Sequence, residues 1–292
     1  MKLFLVDGTY ELFRNFYGAP KASSATGAEV GATRGVMRSL LALIRDESVT
    51  HLAVAFDHEV TSFRNRLFDG YKTGEGIDPD LFSQFPLVEK ALSALGVVIW
   101  PMIEFEADDA LATATAQWSS HPQVEQIVLC SPDKDLGQCV AGSRVVMFDR
   151  RKGVRIDEEG VKEKFGVPPA SIPDYLALVG DAADGIPGIR KWGAKAAAAL
   201  LSEYGTIDDI PRDPVLWTPD VRAKKGLAES LNAHRAEAEL YKTLATLRTD
   251  VPLDETLEEL EWGGAVRSEL EPLCAELGAL SLLERVPKWR PE

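Results

Sequence analysis

The sequence lacks the features that mark disulfide-rich or zinc-binding proteins and those that mark membrane proteins. Its 292 residues contain only three cysteines, Cys130, Cys139 and Cys274, and no CxxC pair. Neither a disulfide framework nor a structural zinc site is therefore indicated, and a reducing, cytoplasmic location is favoured. No apolar run approaches the ~20 residues that span a bilayer, which argues against a membrane protein. The apolar run at the N-terminus is also too short for a signal peptide.

Basic charge is scarce as well. Lys and Arg number 32 against 46 Asp and Glu, and the formal net charge is −14. Because cations supply most of the affinity for phosphates, this balance argues against a nucleic-acid partner. Binding depends on local patches, however, and divalent cations invert the sign of an acidic pocket. The overall acidity therefore does not exclude nucleic acid.

Two kinds of apolar spacing alternate in the first half of the chain. Segments 36–44 and 87–95 have apolar residues at helical spacing, whereas short runs rich in Val, Ile, Leu and Phe predict strands. These runs are residues 3–6, 52–56, 97–100, 127–130 and 145–148. The alternation is typical of an α/β protein with a mainly parallel central sheet covered by helices.

The pattern changes near residue 150. Beyond it, short helical segments are separated by turns rich in glycine, and an Ala-rich helix is stopped by Gly205. We therefore predict an α/β body over residues 1–150 and an all-helical module over residues 151–292. The sequence contains no internal repeat or low-complexity segment.

Three predicted strands end in carboxylates. Asp7 and Asp57 each close a strand, and Asp133 and Asp135 follow the strand that ends near residue 130. Sites in open α/β sheets form beyond the carboxyl ends of the strands, so we expect these side chains to converge. Residues two apart in an extended segment also point the same way, which favours joint action of Asp133 and Asp135.

Two more acidic groups follow other elements. Glu106, Asp108 and Asp109 open a predicted helix, and Asp181 and Asp184 lie between glycines. Each group has an ordinary explanation, since acids complement a helix N-terminus and cap turns. If the fold gathers all of these acids, divalent cations are the natural compensating charge. Oxygen ligands without His or Cys suit Mg²⁺ or Mn²⁺ rather than zinc, and two such ions can promote cleavage of a phosphodiester.

The acidic motifs LFLVDG, AFD, FEADD, SPDKDL and GDAADG resemble those of the 5′ nuclease family. That family includes the 5′–3′ exonuclease domain of bacterial DNA polymerase I, phage 5′ nucleases and flap endonucleases. The resemblance covers residues 3–250 in order. It implies a PIN-like 5′ nuclease fold with a helical arch at about residues 60–82 and a helix–hairpin–helix at about residues 174–204.

The function implied by the resemblance is that of a structure-specific 5′ nuclease. Such an enzyme is a 5′–3′ exonuclease and 5′-flap endonuclease, hydrolysing DNA by a two-metal mechanism to 5′-phosphate products during Okazaki fragment processing and repair. The family's metal ligands correspond to Asp7, Asp57, Glu106, Asp108, Asp109, Asp133, Asp135, Asp181 and Asp184. The implied cofactor is Mg²⁺, two ions per site, for which Mn²⁺ can substitute.

Basic residues in two segments resemble the substrate-handling parts of the family. Arg64 in SFR and Lys72 in GYK match residues that contact the scissile phosphate. Arg14 matches an arginine near the site, and an ion pair with a neighbouring metal ligand is its alternative role. DNA contact is further implied for Arg66, Tyr71, Gly188, Arg190, Lys191, Gly193 and Lys195.

The segment GIPGIRKWGAK, residues 185–195, resembles the hairpin that grips the duplex backbone in this family. Glycine turns let backbone amides approach phosphates, and the N-terminus of the following helix favours an anion. Lys191 stands where the family usually has glycine. A family potassium site uses carbonyls of this hairpin, so K⁺ is an open candidate here.

The implied partner is DNA with 5′ ends, flaps or nicks, acted on by a monomer without membrane association or a small-molecule cofactor. A DNA polymerase acting in trans remains open, as does the choice between a free-standing nuclease and a fragment. Two other functions are retained: a non-catalytic DNA-structure-binding protein of the same fold, and a ribonuclease on a PIN-type scaffold. Uptake of divalent ions tests the first, and comparison of DNA with RNA flaps tests the second.

Overall fold

The computed structural model describes residues 1–291, which divide into two compact units. The first unit contains Met1–Val60, Gly74–Ser131 and the described residues from Thr249 onward. The second contains Thr61–Thr73 and Pro132–Arg248. Each unit is therefore assembled from separate stretches of the chain.

The strands and helices within residues 1–291 are as follows. The strands are β1 Lys2–Asp7, β2 His51–Asp57, β3 Val98–Met102, β4 Gln126–Cys130, β5 Val145–Asp149 and β6 Val154–Ile156. The α-helices are α1 Gly8–Gly18, α2 Gly31–Asp46, α3 Arg64–Leu67, α4 Pro79–Phe82, α5 Phe85–Ala94, α6 Ala107–Trp118, α7 Glu158–Phe165, α8 Ile172–Val179, α9 Ala194–Tyr204, α10 Lys224–Ala233, α11 Arg235–Ala245 and α12 Arg267–Glu276. Short 3₁₀ helices include Asp135–Cys139 and Leu280–Arg285.

The first unit holds the parallel part of the sheet. Its strands lie in the order β3-β2-β1-β4, and each is parallel to its neighbours. Nearly every residue of β1, β2 and β4 is buried, as expected where helices cover both faces. Helix α6 packs on β1, β2 and β3, while α1 and α5 pack on β2 and β3 respectively. The prediction of a mainly parallel sheet covered by helices is confirmed.

The second unit is mostly helical. Helix α8 packs against α9 and α11, and β5 pairs with β6 in antiparallel register. Strand β6 lies in the stretch that we predicted to be wholly helical, so the structure corrects that detail. Its three residues are too few for a spacing to reveal, and the strand exists because Val154 and Ile156 pair with residues of β5.

The division into units also differs from the predicted boundary at residue 150. The C-terminal segment belongs to the α/β unit, where the amide of Trp262 donates to the carbonyl of Thr50 at 2.7 Å. The indole of Trp262 donates to the carbonyl of Leu95 at 2.9 Å. The amide of Val266 donates to the carbonyl of Ala94 at 3.0 Å. These bonds join residues far apart in sequence, which a local pattern does not reveal.

The segment predicted as a helical arch contains little helix. Within residues 60–82, α3 and α4 have four residues each, and Thr73 and Gly74 fall in different units. Within residues 1–291 the three cysteines form no disulfide, and Cys130 and Cys274 are buried. In the described part of the chain, we find no helix whose length and apolar character would let it span a bilayer.

Candidate metal centre and nucleic-acid interface

Carboxylates lie at the carboxyl ends of the parallel strands of the first unit. Asp7 is almost buried; its two oxygens accept hydrogen bonds from the amide of Tyr10 and the hydroxyl of Ser131, both at 2.8 Å. Asp57, at the end of the neighbouring strand, accepts a bond of 2.7 Å from the amide of Ala107. The ends of β1 and β2, the residue after β4 and the start of α6 therefore meet at this edge, as predicted from the strand-end rule.

The three acids that open α6 differ in their surroundings. Asp109 is completely buried, and its carboxylate accepts a 3.0 Å bond from the amide of Glu106 as part of a capping box. Glu106 is mostly buried and Asp108 is half-buried. The local role that helix N-termini usually give to acids thus accounts for Asp109, whose assignment as a metal ligand is weakened by its place inside the cap.

The closest group of acids lies in the second unit. Asp135, Asp181 and Asp184 each offer a carboxylate oxygen, and these three atoms all lie within 4.8 Å of one another. Asp135 begins a 3₁₀ helix, whereas the other two belong to the turn that follows α8. That turn is closed by reciprocal backbone bonds of 2.8 Å between Asp181 and Ile186. The structure thus brings together acids that are separated by more than forty positions in the sequence.

We call this group of three acids the acidic cluster. Within it, burial and the repulsion of neighbouring carboxylates oppose the ionisation of Asp135. Burial raises the pKa of Asp135 well above its ordinary value, and the nearby charges of Asp133, Asp184 and Asp181 act in the same direction. Within residues 1–291, Oδ1 of Asp135 is a buried oxygen without a hydrogen-bond partner. A buried acceptor of this kind is costly unless a cation or proton satisfies it, so the site fits a divalent ion.

Asp133 supports the cluster from its rim. Its Oδ1 accepts a 2.9 Å bond from the amide of Asp135. Desolvation by surrounding protein atoms raises the pKa of Asp133 despite its exposed surface, and the charges of Asp184 and Asp181 raise it further. The prediction that Asp133 and Asp135 act together is consistent with this contact, in which Asp133 orients the backbone of Asp135.

Two lysines pair with the cluster. Nζ of Lys72 lies 2.9 Å from Oδ1 of Asp184, and Nζ of Lys134 lies 2.6 Å from Oδ1 of Asp181. Lys72 was predicted from the sequence, but Lys134 was not. Its position between Asp133 and Asp135 in SPDKDL was the available signal, because a lysine inside an acidic motif is well placed to offset its charge.

A glycine allows the approach of Lys72 to the acids. Gly185 has φ +75°, and a Cβ at this position would lie 2.2 Å from the carbonyl oxygen of Gly70. The amide of Lys72 donates a 2.9 Å bond to the carbonyl of Asp184. Gly185 is therefore required because the chain carrying Lys72 passes directly against this turn.

Arg64 and Tyr71, for which the resemblance implies contact with DNA, are both buried. Arg64 is 1% exposed; its Nε donates to the carbonyl of Leu244 at 2.8 Å and its Nη2 to that of Thr246 at 3.1 Å. The ring of Tyr71 is 4% exposed, whereas Arg66 is exposed. Contact of Arg64 with a phosphate and stacking of Tyr71 on a base do not fit these buried positions, which favour structural roles.

Arg14 forms an ion pair, but its partner differs from the metal ligand that was weighed as its alternative partner. Its guanidinium pairs with the carboxylate of Glu11, which is 2% exposed, and donates to the hydroxyl of Ser39 at 2.9 Å. Burial of Glu11 without a cation would be unfavourable, so Arg14 stabilises α1 against α2. Its partner is Glu11 and not one of the predicted metal ligands.

The predicted helix–hairpin–helix is formed by α8, the turn residues 180–193 and α9. Gly188 has φ +73°, and a Cβ there would lie 2.5 Å from the amide nitrogen of Gly180, so only glycine fits against the end of α8. Lys191 has φ +74° and thus adopts the left-handed conformation that glycine accepts most readily. Trp192 is buried, with its indole donating to the carbonyl of Leu227, so the ring packs the hairpin.

The outer surface of this hairpin is basic. The exposed residues include Arg190, Lys191, Gly193 and Lys195, and among the described residues no ion pair involves the three cations. Gly193 precedes the first turn of α9, whose amides point outward from the helix end. Cations beside a helix N-terminus form a surface suited to phosphates, in a chain that is acidic overall.

The comparisons with known proteins agree with this arrangement. Two family models match the chain: "5′-3′ exonuclease, N-terminal resolvase-like domain" over residues 2–166, and "5′-3′ exonuclease, C-terminal SAM fold" over residues 167–268. A 5′-3′ exonuclease of Aquifex aeolicus is 32% identical over 287 residues, which cover 98% of this chain and 95% of the relative.

Longer relatives and a solved structure are also similar. DNA polymerase I of Pseudomonas aeruginosa is 37% identical over 284 residues, which cover 94% of this chain and 30% of the relative. The chain thus spans roughly a third of the length of the curated DNA polymerases that it matches. A bacteriophage T5 flap endonuclease, solved in complex with DNA and metal ions, has a TM-score of 0.67 at 18% identity and is covered to 100%, with 99% of this chain aligned. The two family matches, with the Aquifex relative aligned over nearly its whole length, show that this chain belongs to the 5′–3′ exonuclease family.

Proposed function

We propose that this chain is a structure-specific 5′ nuclease that hydrolyses DNA phosphodiesters at 5′ ends and flaps and depends on divalent metal ions. The acidic cluster carries the proposal, because Asp135, Asp181 and Asp184 present oxygens within 4.8 Å of one another. Like charges at this separation are unfavourable without a compensating cation. Membership of the 5′–3′ exonuclease family gives the phosphodiester as the bond that is broken.

The proposed metal is Mg²⁺, with Mn²⁺ as a substitute, because every available donor is a carboxylate oxygen. In the second unit, Asp135, Asp181 and Asp184 would hold one ion. In the first unit, a second ion would take its ligands from Asp7, Asp57, Glu106 and Asp108. When bound, such ions supply positive charge that stabilises the charge developing on a phosphate.

The side chains of the second unit prepare this chemistry. Lys134 forms an ion pair with Asp181 and so offsets part of the negative charge of the acidic cluster. Lys72, whose side chain is about one-third exposed, is the cation placed to contact a phosphate. Its backbone bond to Asp184 fixes the direction from which it acts, and a cation held in this way stabilises charge that develops during the reaction.

The proposed grip on DNA uses the hairpin. Arg190, Lys191 and Lys195 are exposed cations that would contact phosphates of the duplex without reading its sequence. The left-handed turn at Lys191 retains the hairpin shape, which leaves K⁺ as a proposed second cofactor at its carbonyls. Comparison of duplex affinity in KCl and NaCl at equal ionic strength tests that proposal, since affinity independent of the cation would contradict it.

The decisive experiment uses end-labelled 5′-flap, nicked and blunt DNA with and without Mg²⁺. We expect cleavage that needs the metal, prefers the flap and leaves a 5′-phosphate. Asp135→Asn and Asp108→Ala should each reduce turnover by at least about 100-fold while duplex binding persists. Asp220→Asn is the matched control, because Asp220 is exposed and lies outside the acidic cluster; turnover in the two site variants equal to that of the control would refute the assignment.

The same experiment separates the two other functions. A non-catalytic DNA-structure-binding protein would bind the flap, leave it intact and show no saturable uptake of Mn²⁺ in calorimetry. A ribonuclease would cut an RNA flap faster than a DNA flap of the same sequence. The metal fit of the acidic cluster favours the nuclease over the non-catalytic protein, and the similarity to DNA polymerases favours DNA over RNA.

We also propose that the chain acts as a monomer in the cytoplasm and that a DNA polymerase acting in trans presents the flap. Support comes from the curated relatives, in which a matching segment forms part of DNA polymerase I. Light scattering measures the oligomeric state. Flap cleavage coupled to strand displacement by an added DNA polymerase tests the partner.

A further inference from the structure

A polar cavity in the first unit lies apart from the acids of that unit's strand ends. Its volume is about 340 Å³, and it lies between α2 and the segment that follows α12. The side chains that could bind a ligand there are Arg34, Arg38, Arg285 and Ser281, and no carboxylate is among the lining residues. The cavity is therefore a concentrated positive site in a chain with a net charge of −14.

Among the residues that the structure describes, the three arginines of this cavity are not neutralised by a carboxylate. Within residues 1–291, no ion pair involves Arg34, Arg38 or Arg285. By contrast, Arg45 pairs with Asp46 and Arg267 pairs with Glu271. Three unpaired guanidinium groups repel one another when they line one cavity, so their arrangement favours an anion that neutralises them.

Arg34 is held in place by the fold. Its Nη2 donates a 2.8 Å bond to the carbonyl of Ser23, while its Nε is buried and has no hydrogen-bond partner within the described chain. Gly278 has φ +61°, and a Cβ there would lie 2.6 Å from Nη2 of Arg34. The backbone thus makes room for this guanidinium, and its buried Nε is a donor that a ligand could satisfy.

We propose that this cavity, the arginine pocket, binds a phosphate group. The guanidinium fork matches the geometry of phosphate and remains charged at every physiological pH, which suits it to this role. The pocket exceeds the size of a single phosphate and reaches the range of small-ligand sites, so it also accommodates the sugar beside a backbone phosphate. Only the choice of a nucleic-acid strand as the source of the phosphate rests on the proposed function.

The test uses the full chain in EDTA, so that no metal is bound and no DNA is cut. Binding of inorganic phosphate is measured by ³¹P NMR, and binding of a fluorescent twelve-nucleotide oligothymidylate by anisotropy. The pocket variant is Arg38→Gln with Arg285→Gln, since both side chains are exposed and their loss should leave the fold intact. The control is Arg45→Gln with Lys90→Gln, which removes the same charge from exposed positions of the same unit.

We expect the dissociation constant for phosphate to rise at least about tenfold in the pocket variant and less than about twofold in the control. A parallel weakening for the oligonucleotide identifies the backbone phosphate as the ligand, whereas an unchanged oligonucleotide affinity identifies a free phosphate compound. Both results support the pocket. Absence of phosphate binding by the wild type, or equal binding by both variants, would overturn it.

Two further measurements distinguish phosphate binding from a structural role of the arginines, and the arginine pocket from the proposed function. Arg38→Lys with Arg285→Lys retains charge without the planar fork and should recover only part of the phosphate affinity, which a purely structural role would not produce. Mg²⁺-dependent flap cleavage is measured on the same proteins. If the wild type binds phosphate but does not cut the flap, the proposed function is refuted and the arginine pocket is retained. If it cuts the flap but does not bind phosphate, the arginine pocket is refuted and the proposed function is retained.

Discussion

Lys72 contacts Asp184 twice: its ammonium lies 2.9 Å from Oδ1, and its backbone amide donates a 2.9 Å bond to the carbonyl oxygen. The backbone bond therefore holds the start of the Lys72 side chain beside Asp184, within reach of the acidic cluster. This relationship gives the segment 61–73 a defined place within the second unit.

Gly185→Ala should disturb this contact. The new Cβ would lie 2.2 Å from the carbonyl oxygen of Gly70 at a φ of +75°, so we expect a loss of about 1–3 kcal/mol in the free energy of unfolding. Urea denaturation measures the change. Gly18→Ala is the control, because nothing lies within 4 Å of a Cβ there. Equal stability of the two variants would show that the turn at Gly185 can accommodate a Cβ.

Asp135→Asn should remove the response of stability to metal. In the wild type, Mn²⁺ or Mg²⁺ binding to the folded protein should raise the melting temperature in a saturable way. The variant lacks a carboxylate of the acidic cluster and should respond much less, while Asp220→Asn should behave as the wild type. Thermal scans against metal concentration measure this, and an undiminished rise in the Asp135 variant would contradict the ligand assignment.

In the metal-free protein, the free energy of unfolding should depend on pH through the ionisation of Asp135. Its raised pKa in the folded state means that ionisation penalises folding; the penalty is absent below the ordinary pKa of 3.8 and grows as the pH rises through the folded pKa. Without metal, Asp135→Asn should therefore gain stability over the wild type as the pH rises from about 4 to 7. Denaturant titrations in EDTA across that range check this, and a constant difference would contradict it.

Arg64→Met should act on stability first. It leaves the carbonyls of Leu244 and Thr246 without their donor, and the bond to Leu244 is buried; the loss should cost about 2–4 kcal/mol in the free energy of unfolding. Arg66→Met, at an exposed position, should change it by less than about 0.5 kcal/mol. Urea denaturation distinguishes the two, and full stability with reduced cleavage would restore the phosphate-contact role to Arg64.

Lys191→Gly should separate backbone shape from charge at the hairpin. Glycine accepts φ +74° without strain, so stability should stay equal or rise by up to about 1 kcal/mol. Loss of one phosphate contact should reduce the slope of log affinity for duplex DNA against log salt by about 0.9. Lys191→Asn, which also tolerates this φ, should show the same slope; an unchanged slope in both would exclude a phosphate contact.

Much of the fold and part of the site followed from the sequence alone. The apolar runs located β1 to β5, since a buried strand needs consecutive apolar residues. Asp7 and Asp57 were placed at the site edge because parallel strands end together. The hairpin was located from the segment GIPGIRKWGAK, but the need for glycine at position 185 was not, because the carbonyl of Gly70 that leaves no room for a Cβ comes from a distant part of the chain.

What the sequence determined was the set of elements and the chemistry at their ends, because hydrophobic spacing and turn residues act over a few positions. The tertiary structure alone decided which of those groups remain available. The guanidinium of Arg64 is bound by a backbone carbonyl 180 positions away. Asp109 is used within its own helix cap. Arg34 lines a cavity whose other wall includes Gly278. Burial and partners come from contacts between distant parts of the chain, and local residue patterns do not contain them.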